Sequence, residues 1–174
     1  MTQPEHEAPT DRRPARLRPP RHRVEPRAKG LWTVHALLVV LPPVAALAVL
    51  AILLPPARGW LTAGLVVVAV LGIGYVLVMP RWRYRVHRWE TTEEAVYTAS
   101  GWLRQEWRVA PMSRIQTIDT SRGPLQRMFR LSSLTITTAS AKGAIAINGL
   151  DHEIADDLAH QLTAITQATP GDAT

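Results

Sequence analysis

Two long apolar runs stand near the start of this chain, and a shorter alternation fills most of the rest. Leu31 to Leu54 holds no Asp, Glu, Lys or Arg, and neither does Trp60 to Met79. A helix rises about 1.5 Å per residue, so either run is long enough for a hydrocarbon layer about 30 Å thick. Residues 55–59 (Pro-Pro-Ala-Arg-Gly) can form little more than a turn. The pattern predicts a membrane α-hairpin, with transmembrane helices at 31–54 and 60–79 and a turn at 55–59. Pro42-Pro43 falls mid-run and predicts a kink. Trp32 and Trp60, at the start of each span, predict interfacial indoles. Gly64, Gly72 and Gly74 offer small surfaces for helix packing.

After Pro80 the period becomes two. Arg81 to Arg88 alternates, with Trp82, Tyr84 and Val86 on one face and Arg81, Arg83, Arg85 and His87 on the other, which predicts a strand leaving the membrane directly. Further strands are predicted at Ala95–Ala99, Trp102–Val109, Ile115–Thr120, around Leu134, Ile136 and Thr138, and at Ala144–Ile147. Ser100-Gly101, Gly123-Pro124, Lys142-Gly143 and Asn148-Gly149 punctuate them. In the fourth strand, Ile115 and Thr117 should share one face, with Gln116 and Ile118 on the other. Pro124 suits the first position of a short helical turn reaching Phe129. Asp151 reads as an N-cap, and Ile154, Leu158, Leu162 and Ile165 recur as one helical stripe. Six strands and a closing helix make a mainly-β domain over 81–169, with a short flexible end at 170–174.

Charge then orients the hairpin. The chain has net charge +6. Seven Arg and one Lys precede the first span, Arg81, Arg83, Arg85 and Arg88 follow the second, and the turn carries only Arg58. The positive-inside rule predicts a multi-pass protein of the plasma membrane with both termini cytoplasmic. Residues 1–30 hold six prolines and few large apolar side chains, which predicts a disordered basic tail. No aromatic residue interleaves the arginines of that tail, which argues against a nucleic-acid arm. Ala46-Leu47-Ala48 has the form a signal peptidase reads, but apolar sequence continues past it and a second span follows. With no ionisable residue inside the spans except His35, the hairpin reads as an anchor rather than a transport path. There is no cysteine, hence no disulfide or thiolate chemistry.

Candidate chemistry is sparse. The Arg81, Arg83, Arg85 and Arg88 strand could touch lipid head groups of the inner leaflet. Arg114, Arg122, Arg127 and Arg130 form a second candidate basic patch for an acidic partner or a head group. Trp82, Trp89, Trp102 and Trp107 suit core and interface packing, with a sugar- or peptide-binding platform as the alternative. His152-Glu153-Ile154-Ala155-Asp156 falls one residue short of a zinc-binding H-E-x-x-H helix; His152, Asp156 and His160 share a face that should be solvated. No Gly-rich phosphate loop and no catalytic, metal or cofactor-binding set is identified.

One combination points to a family. Arg23-Val24-Glu25-Pro26 stands before the hairpin. Pro111-Met112-Ser113-Arg114-Ile115-Gln116, Gly123-Pro124-Leu125-Gln126-Arg127 and Leu134-Thr135-Ile136-Thr137-Thr138-Ala139-Ser140 follow it, and Gly149-Leu150 precedes the last helix. Together they resemble the YdbS-like bacterial membrane proteins with a pleckstrin-homology-like (PH-like) domain. The resemblance implies a seven-stranded, strongly bent antiparallel barrel with a C-terminal capping helix, which leaves one strand to be found near Glu90 to Glu94. It implies no enzyme activity, no catalytic residues and no cofactor. It also implies a partner, a larger paralogous membrane protein with repeated domains of the same type; a homo-oligomer is the other expectation. The function expected is a non-enzymatic, membrane-anchored interaction module that docks a protein partner, or else binds anionic lipid through its basic patches.

Overall fold

The computed structural model describes residues 19–140 and 143–168. Residues 1–18 of the expected tail, Lys142 of the expected turn and the expected flexible end at 170–174 lie outside them. Helix α1 spans Ala28–Leu53 and α2 spans Arg58–Val86, joined by a 3-10 turn at Pro55–Ala57. Helix α1 continues through Pro42 and Pro43. Both helices are long and apolar enough to cross a membrane. Their outer faces are apolar and uncovered: Val39 is 64% exposed and Leu71 68%. Hydrocarbon is the solvent that such faces require. The inner faces meet at Gly72, where an added Cβ would lie 2.3 Å from Val40 Cγ1. Gly64 and Gly74 meet nothing within 4 Å, so one of the three expected small surfaces serves the crossing.

The expected strand at Arg81–Arg88 is not formed. Helix α2 runs on through Pro80 to Val86. Its inward positions Gly72, Val76, Met79 and Arg83 fall at helical spacing, and this packing outweighs the local alternation of Trp82, Tyr84 and Val86. Pro80 cannot donate the usual helical hydrogen bond. The Arg81 guanidinium bonds the Leu77 carbonyl, 2.6 Å away, in the disturbed turn.

The first strand comes from before the hairpin. Strand β1 (His22–Arg23) pairs antiparallel with β2 (Arg88–Thr91), His22 opposite Trp89 and Arg23 opposite Arg88. The domain therefore includes residues expected in the tail, and the hairpin is inserted between its first two strands. Strand β3 (Ala95–Gly101) and β4 (Gln105–Pro111) complete a sheet of order β1-β2-β3-β4. Trp102 to Arg104, expected to start a strand, form the connecting loop. Gly101 makes that loop possible: it adopts φ +107°, and a Cβ there would sit 1.8 Å from the Arg104 carbonyl oxygen.

A second sheet has the order β5-β6-β7, with β5 at Ile115–Ser121, β6 at Leu131–Thr138 and β7 at Ile145–Asp151. The two sheets are not closed into a barrel. Two irregularities re-aim side chains. A register shift between Ile115 and Thr117 lets Ile115 and Ile118 both pack on the core, where simple alternation would separate them. The second shift skips Gly149, so Asn148-Gly149 does not end β7 but bulges it. Helix α3 (Pro124–Met128) crosses between β5 and β6, and α4 (His152–Ala168) covers the second sheet.

Two cores result. Val96, Leu134, Ile136, Ile147, Leu158 and Leu162 belong to the core of the domain itself. Helix α4 contributes Ala155, Leu158 and Leu162, while Ile154 of the expected stripe is 46% exposed. The other core joins hairpin to domain: Val24, Ala28, Leu31, Trp32 and Met79 pack with Leu131, flanked by Trp89, Trp102 and Phe129. Gly149 lies against this joint. It has φ +83°, and an added Cβ would stand 2.9 Å from Ala28 Cβ. The Gly149→Ala protein should lose about 1–3 kcal/mol through backbone strain and overlap. Thermal unfolding of the full chain in detergent measures this, with Gly64→Ala expected to leave the midpoint unchanged.

Candidate functional site

The joint between hairpin and domain gathers the polar groups that merit attention. Ala28, Leu31, Trp32 and Ala36 lie on one side of α1, and they are buried. Trp32, expected at the membrane interface, is 3% exposed. Its ring lies 4.8 Å from the Arg83 guanidinium carbon and 4.9 Å from the His87 ring centroid. Arg83 thus turns inward as a cation over an indole face. His87 follows the last turn of α2, and its Nδ1 donates to the Arg83 carbonyl at 2.9 Å.

Two polar ties close the same joint. The Glu25 N–H donates to the Gly149 carbonyl at 2.9 Å. Arg27 pairs with Asp151, which also caps α4 by accepting from the Glu153 N–H at 3.0 Å. Burial raises the Asp151 pKa. The Glu153 N–H, Arg27 and His152 together outweigh burial and hold the carboxyl below its usual value.

The four arginines expected on one strand face are dispersed. Arg83 packs under Trp32, and Arg88 lies in β2. Arg81 and Arg85, one helical turn apart, line a cavity of about 550 Å³ at the domain end of the hairpin. Arg23 from β1 and Lys29 from α1 join them there, with Thr33 and Tyr84. The Lys29 ammonium sits 4.6 Å from the Tyr84 ring centroid, which fixes its place on the wall. Among the described residues no carboxylate lines this cavity. The potential it creates attracts anions, since uncompensated cations in a concave site concentrate field. Sequence reasoning missed Arg23 and Lys29 because it placed them in a disordered tail, and Tyr84 because a strand reading puts it on the face opposite the arginines. A helix drawn through Pro80 puts Arg81 and Arg85 together.

The second basic patch is split. Arg114 precedes β5 and Arg122 follows it, so seven strand residues separate them by roughly 25 Å. Arg122, Arg127 and Arg130 stay at the end of the second sheet where α3 meets the hairpin, through Phe129 against Gly30. Arg130 holds φ +53°.

The tryptophans do not form a platform. Trp89 and Trp102 flank the joint, Trp102 edge-on to Tyr75 at 5.6 Å, whereas Trp82 and Trp107 are partly exposed. Trp107 and Val109 point outward from β4, whose far edge pairs with no strand among the described residues. On α4, His152 Nδ1 lies 3.4 Å from Asp151, and Asp156 and His160 are exposed. Among the described residues no three His, Asp or Glu side chains are placed to share a metal ion.

The comparisons with known proteins agree with this architecture. A family model described as Bacterial PH domain matches residues 34–166. The chain belongs to that family, and it is a membrane protein. It is 30% identical over 157 residues to the UPF0699 transmembrane protein YdbS of Bacillus subtilis (strain 168), a match covering 88% of this chain and 97% of that protein. No solved structure matches the chain significantly.

The buried histidine makes the joint sensitive to acid. Burial first, and the Arg83 charge second, push the His87 pKa down to about 4 from 6.5, against the favourable bond to the Arg83 carbonyl. An opened joint would bind a proton at about 6.5 and the closed one not until about 4. Stability is therefore lost as pH falls through that window, by on the order of 3 kcal/mol at its lower end. Thermal midpoints between pH 7 and 4 should fall more steeply for the native chain than for His87→Gln. Identical slopes would show that His87 does not titrate with the joint.

Proposed function

We propose that this chain is a non-enzymatic, membrane-anchored PH-like module that docks a protein partner at the cytoplasmic face of the membrane. The observation that carries this reading is the edge of β4, which pairs with no strand among the described residues and meets the start of β7 through the Arg108 side chain, bonded to the Ala144 carbonyl. Ala110 turns into the core, while Trp107 is 42% and Val109 43% exposed on the opposite face. A partner strand added there would gain backbone hydrogen bonds from the edge and side-chain contacts from those alternate positions. The partner expected is a strand from another membrane protein carrying a domain of this type, with a second copy of this chain as the other outcome. Absence of an enzymatic role is supported by the family description and the relative's name, which specify a domain and a membrane protein and no reaction.

The pairing of β1 with β2 supports the topology. These strands flank the hairpin in sequence and hydrogen-bond to each other. Both ends of the hairpin must then lie on one side of the membrane, and the flanking arginines favour the cytoplasmic side. Contact with anionic lipid is a second reading, carried by the cavity beside Arg81 and Arg85.

Photocrosslinkers at positions 107 and 109 in cells should give an adduct with a membrane protein, or a dimer at about twice 19.3 kDa, while one at Asp119 should not. Monomer alone at both positions would remove the docking reading. A fluorescent reporter fused after Thr174 should remain bright in the cytoplasm; an exported, active phosphatase fusion at the same point would invert the topology.

A further inference from the structure

We infer that the cavity at the base of the hairpin is a binding site for one anionic phospholipid, with its phosphate among Arg23, Lys29, Arg81 and Arg85 and an acyl chain between α1 and α2. Three elements from two stretches distant in sequence deliver these cations. Arg23 comes from β1, Lys29 from the first turn of α1, and Arg81 and Arg85 from the last turns of α2. Ion pairs among the described residues engage Arg21, Arg27, Arg108 and His152, and none engages these four. Arg81 spends one donor on the Leu77 carbonyl, and a guanidinium has four more N–H groups to offer.

The floor of the cavity distinguishes a lipid from a soluble anion. Val76 and Leu77 line the cavity and also line an apolar groove of about 230 Å³ along the two spans. Leu37, Leu41, Val44 and Ile73 continue that groove away from the domain. A basic head site thus shares the Val76–Leu77 wall with an apolar groove along the two spans. Phosphate paired with acyl chain is the chemistry that satisfies both halves at once. Paired basic side chains at the cytoplasmic end of a span meet the anionic leaflet there. The site is separate from the β4 edge, so it stands or falls independently of partner docking.

The test uses the full chain, stripped of lipid in a nonionic detergent. Binding of dioleoylphosphatidylglycerol, dioleoylphosphatidylcholine and inorganic phosphate is counted by native mass spectrometry. Phosphatidylglycerol should bind roughly tenfold more tightly than phosphatidylcholine, and the double substitutions Arg81→Gln with Arg85→Gln, and Arg23→Gln with Lys29→Gln, should each abolish most of that preference. Two pairs from different segments guard against misfolding of one variant, and thermal melts verify each fold. The charge-matched control, Arg104→Gln with Arg114→Gln, should bind like the native chain. Leu41→Trp, which fills the groove, should weaken phosphatidylglycerol binding and leave phosphate binding unchanged. Equal binding of the two lipids, or native-like binding by both cavity variants, would overturn the inference. So would inorganic phosphate binding as tightly as phosphatidylglycerol with Leu41→Trp silent, which would mark a site for a soluble anion.

Discussion

The burial of Trp32 between hairpin and domain is the contact on which the rest of the structure depends. An indole at the start of an apolar helix ordinarily anchors in the head-group layer. Here it lies against Arg83 and beside His87, and the chain before it folds onto the sheet. Burying a side chain of this size contributes about 1.5–3 kcal/mol, and Leu31, Met79 and Leu131 add to the same core. The orientation of the domain relative to the bilayer follows from that core. A flexible tether would leave the domain free to tumble. The interlocked joint instead presents a defined set of faces.

This rigidity gives the charges their meaning. Arginines that the strand pattern arranges in a row are sorted by the helix into different environments. Arg83 satisfies the joint, Arg81 and Arg85 face a cavity, and Arg88 passes into β2. The cavity exists because α2 stays helical past the end of its apolar run and lifts its last turns alongside β1. A charge-neutral replacement in the wall would therefore act on recognition, whereas one beneath Trp32 would act on stability.

Much of this was readable from the chain. The hairpin follows from uninterrupted apolar composition, which no tertiary contact can reverse. Strands β3, β5 and β6 and helix α4 follow from periodicity and turn residues, within a few positions at their ends. The failures have physical causes. Trp82, Tyr84 and Val86 alternate as in a strand, but the ridge of Gly72, Val76, Met79 and Arg83 extends the α1 contact through Pro80, and tertiary packing outweighs local pattern. The bulges at Ile115–Thr117 and Gly149 are invisible to a strict period of two. The further strand expected near Glu90 is present as β2, but strand β1 has two residues and no periodicity to detect, so the count is filled with the Arg81–Arg88 stretch rather than with His22–Arg23. The basic cavity was hidden with it, because its walls come from segments that only the folded joint brings together.

The order of the strands has a consequence for how the protein is made. Strand β1 leaves the ribosome before either span, and β2, its neighbour in the sheet, leaves after both. The first sheet can be completed only once the whole hairpin has been synthesised and has doubled back. Maturation of the domain is thereby coupled to membrane insertion: a chain whose second helix fails to integrate keeps β1 and β2 on opposite sides of the bilayer. Such a chain exposes Trp89 and an uncovered sheet edge, the kind of surface by which quality-control proteases recognise an orphaned product.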